Sequence, residues 1–182
     1  GSYVLKIWIQ YLGVLMKPMI LIMSLLLSIS VSAVEYKNKA QVQDMTFQWS
    51  VEGQNLNVKL SAKSTGWVAV GFNPTQAMKD ANFIIGSVKD GKAKATHHFG
   101  TGMFAHSKAL ETDYVKNVEG KREGGHTEIS FSVPLKANDP KFNIDATKEI
   151  PVLLAYANDD SVKTKHAFKT KIMVNLSTGK FK

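Results

Sequence analysis

The feature that most constrains this chain is a set of short segments in which apolar and polar residues alternate singly. TFQWSV sets Phe47, Trp49 and Val51 against Thr46, Gln48 and Ser50, and LNVKLSAK sets Leu56, Val58, Leu60 and Ala62 against Asn57, Lys59, Ser61 and Lys63. A period of two puts one set on each face of a strand, so both segments read as half-buried strands, joined antiparallel through the EGQN turn. HTEISFSVPL repeats the pattern with Ile129, Phe131, Val133 and Leu135 inward, and HAFKTKIMVNL with Phe168, Ile172, Val174 and Leu176. Beyond the apolar N-terminal segment, nothing sustains a helical period for more than a turn or two.

Three further runs, GWVAVGF (66–72), FIIGSV (83–88) and VLLAYA (152–157), are apolar on both faces and bounded by Gly, Pro, Asn or Asp. They read as central strands. KDGK after Val88 carries the Asp-Gly pair of a tight hairpin, which returns KATHHFG beside FIIGSV. Short strands separated by regular turn signals specify an all-β antiparallel sandwich or barrel, and residues 34–182 form one such domain with no internal repeat.

The first 33 residues read differently. Lys17 precedes an apolar run from Pro18 to about Ser30, followed by Val31-Ser32-Ala33, the layout of a secretory signal peptide with a small-residue cleavage site. The run is short for a membrane span, so an anchor is the lesser reading and membrane attachment is expected only if the segment stays uncleaved. Residues 1–15 form an N-terminal extension ahead of Met16. The expected location is periplasmic or secreted. The chain has 23 basic and 15 acidic residues, but its lysines are scattered between strand residues without the clusters of a nucleic-acid binder. With no cysteine, disulfides, thiolate metal sites, iron–sulfur clusters and covalently attached haem are excluded.

The candidate chemistry lies in two places. In GFNPTQAMKDANFIIG a methionine, Met78, sits in a turn segment, where a thioether has no backbone advantage. His166 shares the parity of Phe168, Ile172 and Val174, so alternation aims it toward the core at the opening of the last strand. Thioether and imidazole suit haem iron or copper, and a Met/His pair that fills both axial positions of a haem points to electron transfer rather than oxygen chemistry. Met103 and His106 in GTGMFAHSK offer a copper reading without a fixed spacing. His97 and His98 point to opposite faces, one toward a pocket and the other toward solvent. No hydrolase elbow, zinc-protease helix motif or phosphate loop is present, so the chain reads as a binding or electron-transfer module rather than a conventional enzyme.

GWVAVGFNPTQAMKDANFIIG, GKAKATHHFGTG, HTEISFSVPL and HAFKTKIMVNL together resemble the haem-binding type of the DOMON domain family, similar to the cytochrome domain of cellobiose dehydrogenase and, more distantly, to the haem subunit of ethylbenzene dehydrogenase. The resemblance implies an Ig-like β-sandwich that holds one haem b at an end, with Met78 and His166 as axial ligands, and a redox partner protein. Trp67, Phe72, Phe83, Phe99 and Tyr156 are core by default and double as apolar walls for the porphyrin. The chain departs from the family pattern at Ala77, where Gly usually precedes the Met, at Asn82, where Asp is usual, and at Lys165 and Ala167 beside the histidine. Many members of the wider family bind sugars, so a haem-free extracytoplasmic sugar- or ligand-binding module is the alternative.

Overall fold

The computed structural model describes residues 33–111 and 113–182; the expectations placed on the N-terminal extension and signal peptide fall outside them, apart from Ala33. Among the described residues, eleven strands run in chain order as β1 (Asn38–Val42), β2 (Met45–Glu52), β3 (Asn55–Ala62), β4 (Val68–Phe72), β5 (Asn82–Lys89), β6 (Lys92–Gly102), β7 (Ala105–Lys108), β8 (Lys116–Glu123), β9 (His126–Pro134), β10 (Glu149–Tyr156) and β11 (Phe168–Asn175). A five-stranded sheet has the order β1-β2-β3-β9-β8, and a six-stranded sheet the order β11-β10-β4-β5-β6-β7. The sheets pack face to face as a sandwich, which removes the barrel alternative.

Alternation assigned the inward faces of β2, β3 and β9, where Phe47, Trp49, Leu56, Val58, Leu60, Ile129, Phe131 and Val133 are buried. Phe47 pairs with Leu60, Trp49 with Val58, and Val58 with Phe131 across β3 and β9. The two-faced runs are β4, β5 and β10, side by side in the six-stranded sheet. Asp90 and Gly91 form the tight β5–β6 turn with φ of 51° and 71°, and Ile84 lies opposite His97. β8 escapes an alternation search because KNVEGKRE is charged along its length, and a charged edge strand discourages pairing with other chains.

Between the sheets, Phe47 stacks on Trp49 at 4.6 Å and meets Phe72 at 6.5 Å. The Trp49 indole donates to Leu176 O at 2.9 Å and so ties the two sheets together. One end of this interior is polar. Asn82, only 1% exposed, accepts from His97 Nε2 at 2.7 Å and donates from Nδ2 to the Tyr114 hydroxyl at 2.6 Å and to Phe142 O at 3.0 Å. His97 stacks on Tyr114 at 4.1 Å. An Asp at position 82 would put a charge in a buried setting that the neutral amide satisfies with three hydrogen bonds.

Burial, with smaller effects from the charges of His98 and Lys141, lowers the His97 pKa to about 4. A histidine kept neutral in the fold stabilises it fully above its ordinary value near 6.5, and that contribution fades as pH falls through the window down to about 4. The urea midpoint should therefore drop between pH 7.5 and 4.5; a flat profile would show that the imidazole protonates in the native state. Asn82→Ala, which leaves His97 Nε2 without an acceptor, should cost roughly 1–3 kcal/mol at neutral pH in the same assay.

Candidate functional site

A sandwich sheet covers only one of its faces with its partner, and β4, β5 and β10 are apolar on both. Their second face is the floor of a cavity of about 550 Å³, within the usual range for small-molecule and cofactor sites. Trp67, Ala69, Phe83, Ile85, Leu153 and Ala155 form this floor. The cavity lies on the outer face of the six-stranded sheet, away from the interior between the sheets.

Three connections wall it in. The β10–β11 connection lies against Gly66, where a Cβ would collide with the Asp159 backbone, and the Trp67 indole donates to Ser161 O at 3.1 Å. Asp159 Oδ1 accepts from Ser161 N at 2.6 Å and Thr164 Oγ1 at 3.2 Å, which fixes the turn that presents His166. The neighbouring Asp160 carboxylate takes both Arg122 nitrogens, at 2.6 and 3.1 Å. The β4–β5 connection presents Met78 and is held on β6 and the β6–β7 turn: Asp80 N donates to Gly100 O at 2.9 Å, and Met78 N to Met103 O at 3.2 Å. Only a glycine at 100 allows this, because a Cβ there would fall on the Met78 carbonyl oxygen. Ala77 has φ of 50°, a left-handed conformation that glycine adopts without a Cβ penalty.

Met78 and His166, the two residues singled out from the sequence, both line this cavity, and both are half-buried. So do Trp67 and Phe83. The other three expected walls are elsewhere: Phe72 is fully buried between the sheets, Phe99 packs edge-on to Phe142 at 5.6 Å, and Tyr156 stacks on Phe168 at 5.4 Å. All three have inward parity, and the cavity is on the outward face. The parity argument for His166 fails for a related reason. β11 begins at Phe168, so His166 is a loop residue free of strand alternation, and it lines the face opposite to Ile172 and Val174.

Sequence reasoning missed Lys169 and Lys171, which with Lys165 beside His166 give the cavity a cationic rim. Their signal was the polar half of the β11 alternation, taken as a solvent face. It also sent one of the paired histidines to solvent, whereas both are buried, His97 inward at 5% exposure and His98 outward at 8%. His98 Nδ1 is 3.1 Å from Nδ1 of His106, a cavity-lining residue. Burial lowers the pKa of His98 to about 4, helped by the charges of His106 and Lys108, and burial also lowers His106. At the mouth, Met103 is 40% and Phe104 82% exposed.

The family model for the DOMON domain matches residues 41–158. Among curated proteins, DBH-like monooxygenase protein 1 of Homo sapiens is 28% identical over 114 residues, covering 62% of this chain and 18% of the relative, and the Mus musculus protein of that name is 28% identical over 112 residues. The chain thus spans about a fifth of the length of these relatives. Among solved structures, the cytochrome b domain of pyranose dehydrogenase from Coprinopsis cinerea superposes with a TM-score of 0.61 at 11% identity, over 78% of this chain and 82% of that one. The cytochrome domain of Myriococcum thermophilum cellobiose dehydrogenase superposes with a TM-score of 0.53 at 10% identity, over 73% and 79%. At such identities the likeness establishes the fold.

Two substitutions test how the Met78 connection is held. Ala77→Gly should raise stability by about 0.5–1 kcal/mol by relieving the left-handed alanine, read as a higher urea midpoint. Gly100→Ala should displace Met78, seen as a large change in the Met78 methyl resonance; an unchanged methyl environment would mean the connection is not seated on β6.

Proposed function

The chain belongs to the DOMON domain family, and on that premise we propose that it is a b-type haem-binding module for single-electron transfer, with Met78 and His166 as axial ligands. The observation that carries this reading is that two separate strand connections bring a thioether and an imidazole to one apolar-floored cavity of about 550 Å³. The donor set fits the group, since thioether and imidazole together suit haem iron. When bound, the haem supplies the one-electron chemistry.

The chain's own residues supply the surroundings. Trp67, Phe83, Ile85 and Leu153 exclude water from the floor, which favours a porphyrin's apolar faces. Lys165, Lys169 and Lys171 offer cations to its carboxylates, in partly exposed pairs of modest strength. With Met78 and His166 both holding the iron, the haem would supply single-electron transfer, and these two side chains would serve as its ligands rather than as acid–base groups. This reading includes export to the periplasm or beyond and a redox partner protein as donor or acceptor.

The exposed Phe104 at the mouth favours a second reading, a haem-free module that stacks a sugar or another extracytoplasmic ligand on its aromatic surface. Reconstitution separates the two. With haem b, the wild-type protein should show a six-coordinate low-spin spectrum that Met78→Ala and His166→Ala each abolish. No Soret band on reconstitution would leave the ligand-binding module, and a low-spin spectrum that survives in both variants would remove this ligand assignment.

A further inference from the structure

Two imidazoles outside the Met78/His166 pair face each other on the β6–β7 hairpin. His98 on β6 and His106 on β7 have their Nδ1 atoms 3.1 Å apart, with the rings inclined at 75°. Thr96 determines what His98 carries. Thr96 Oγ1 lies 3.3 Å from Ile85 O and 3.0 Å from His98 Nε2, and when its single proton goes to the carbonyl, the hydroxyl oxygen accepts from Nε2. In that arrangement His98 carries its proton on Nε2, and its Nδ1 presents a bare lone pair to His106, 3.1 Å away. A ring nitrogen freed by a hydrogen bond on the far side is the arrangement that orients a metal-binding imidazole.

We propose that His98 Nδ1, His106 Nδ1 and the Met103 thioether form a cuprous-ion site on this hairpin. Two nitrogens bound to one ion at about 2.0–2.1 Å are about 3.3 Å apart in tetrahedral geometry, so the rings need to move by only a few tenths of an ångström. Met103 stands three residues before His106 across the hairpin turn, and both line the cavity. The donor set selects the ion. Among the described residues no group of three or more His, Cys, Asp or Glu is placed to hold a metal, which disfavours calcium, magnesium and four-ligand zinc. Imidazole with thioether suits Cu(I). The site uses neither Met78 nor His166 and goes beyond the haem reading.

The test is an anaerobic titration of haem-free protein with Cu(I) against a chromophoric Cu(I) chelator, so its outcome does not depend on whether the cavity takes haem. One equivalent should bind, with affinity reduced tenfold or more in His106→Ala and in Met103→Leu and unchanged in Phe104→Ala, a neighbour that offers no donor. Circular dichroism of the variants checks that the hairpin still folds, and Thr96→Val, which frees the His98 tautomer, should also weaken binding. Failure of the protein to compete with the chelator, full affinity in a folded His106→Ala, or preference for Zn(II) would each overturn the site and leave an N–H···N hydrogen bond from His106 to His98.

Discussion

A sheet with two apolar faces cannot be completed by a two-sheet sandwich alone. β4, β5 and β10 bury Val70, Phe72, Ile84, Val152 and Leu154 against the five-stranded sheet, and this spends the sandwich's only interior. Trp67, Ala69, Ile85 and Ala157 then form a second small cluster on the far side. Each large side chain there represents about 1.5–3 kcal/mol of burial, enough to favour loops folding over it. Because loops cover a face less completely than a sheet does, a cavity remains.

The backbone concessions of the domain collect at this cover. Gly66 and Gly100 are stripped of side chains where a connection must lie against a strand, and Ala77 accepts a left-handed conformation beside Met78. Strain of this kind persists where surrounding contacts over-determine it. The contacts here are the hydrogen bonds from Met78 and Asp80 to the β6 side, and the Trp67 and Asp159 bonds that hold the β10–β11 connection.

β6 links the two sides of the sheet through adjacent histidines. His97 points inward and locks the Asn82–Tyr114 network, whereas His98 points outward and meets His106 beside the cavity. The rigid inward network therefore fixes the strand from which the outward imidazole is displayed. Over the apolar floor the cavity gathers the thioethers of Met78 and Met103 and the imidazoles of His106 and His166, with lysines at the rim.

By itself the sequence determined the sandwich, the alternating and two-faced strands and the β2–β3 and β5–β6 hairpins, because a period of two on one buried face leaves little freedom of register, whereas β1, β7 and β8 carry no such signal. It also singled out Met78, a thioether out of place in a turn segment, and His166, through a parity argument that the loop at 166 does not obey and through the family resemblance. Only the tertiary structure decided which face holds the cavity. Alternation tells two faces apart without saying what covers each, so Phe72, Phe99 and Tyr156 belong to the interior while Ile85, Leu153 and the β11 lysines border the site. The approach of His98 to His106 was hidden for the same reason: it depends on the fold of a hairpin whose second strand, β7, is four residues long and carries no periodic signal.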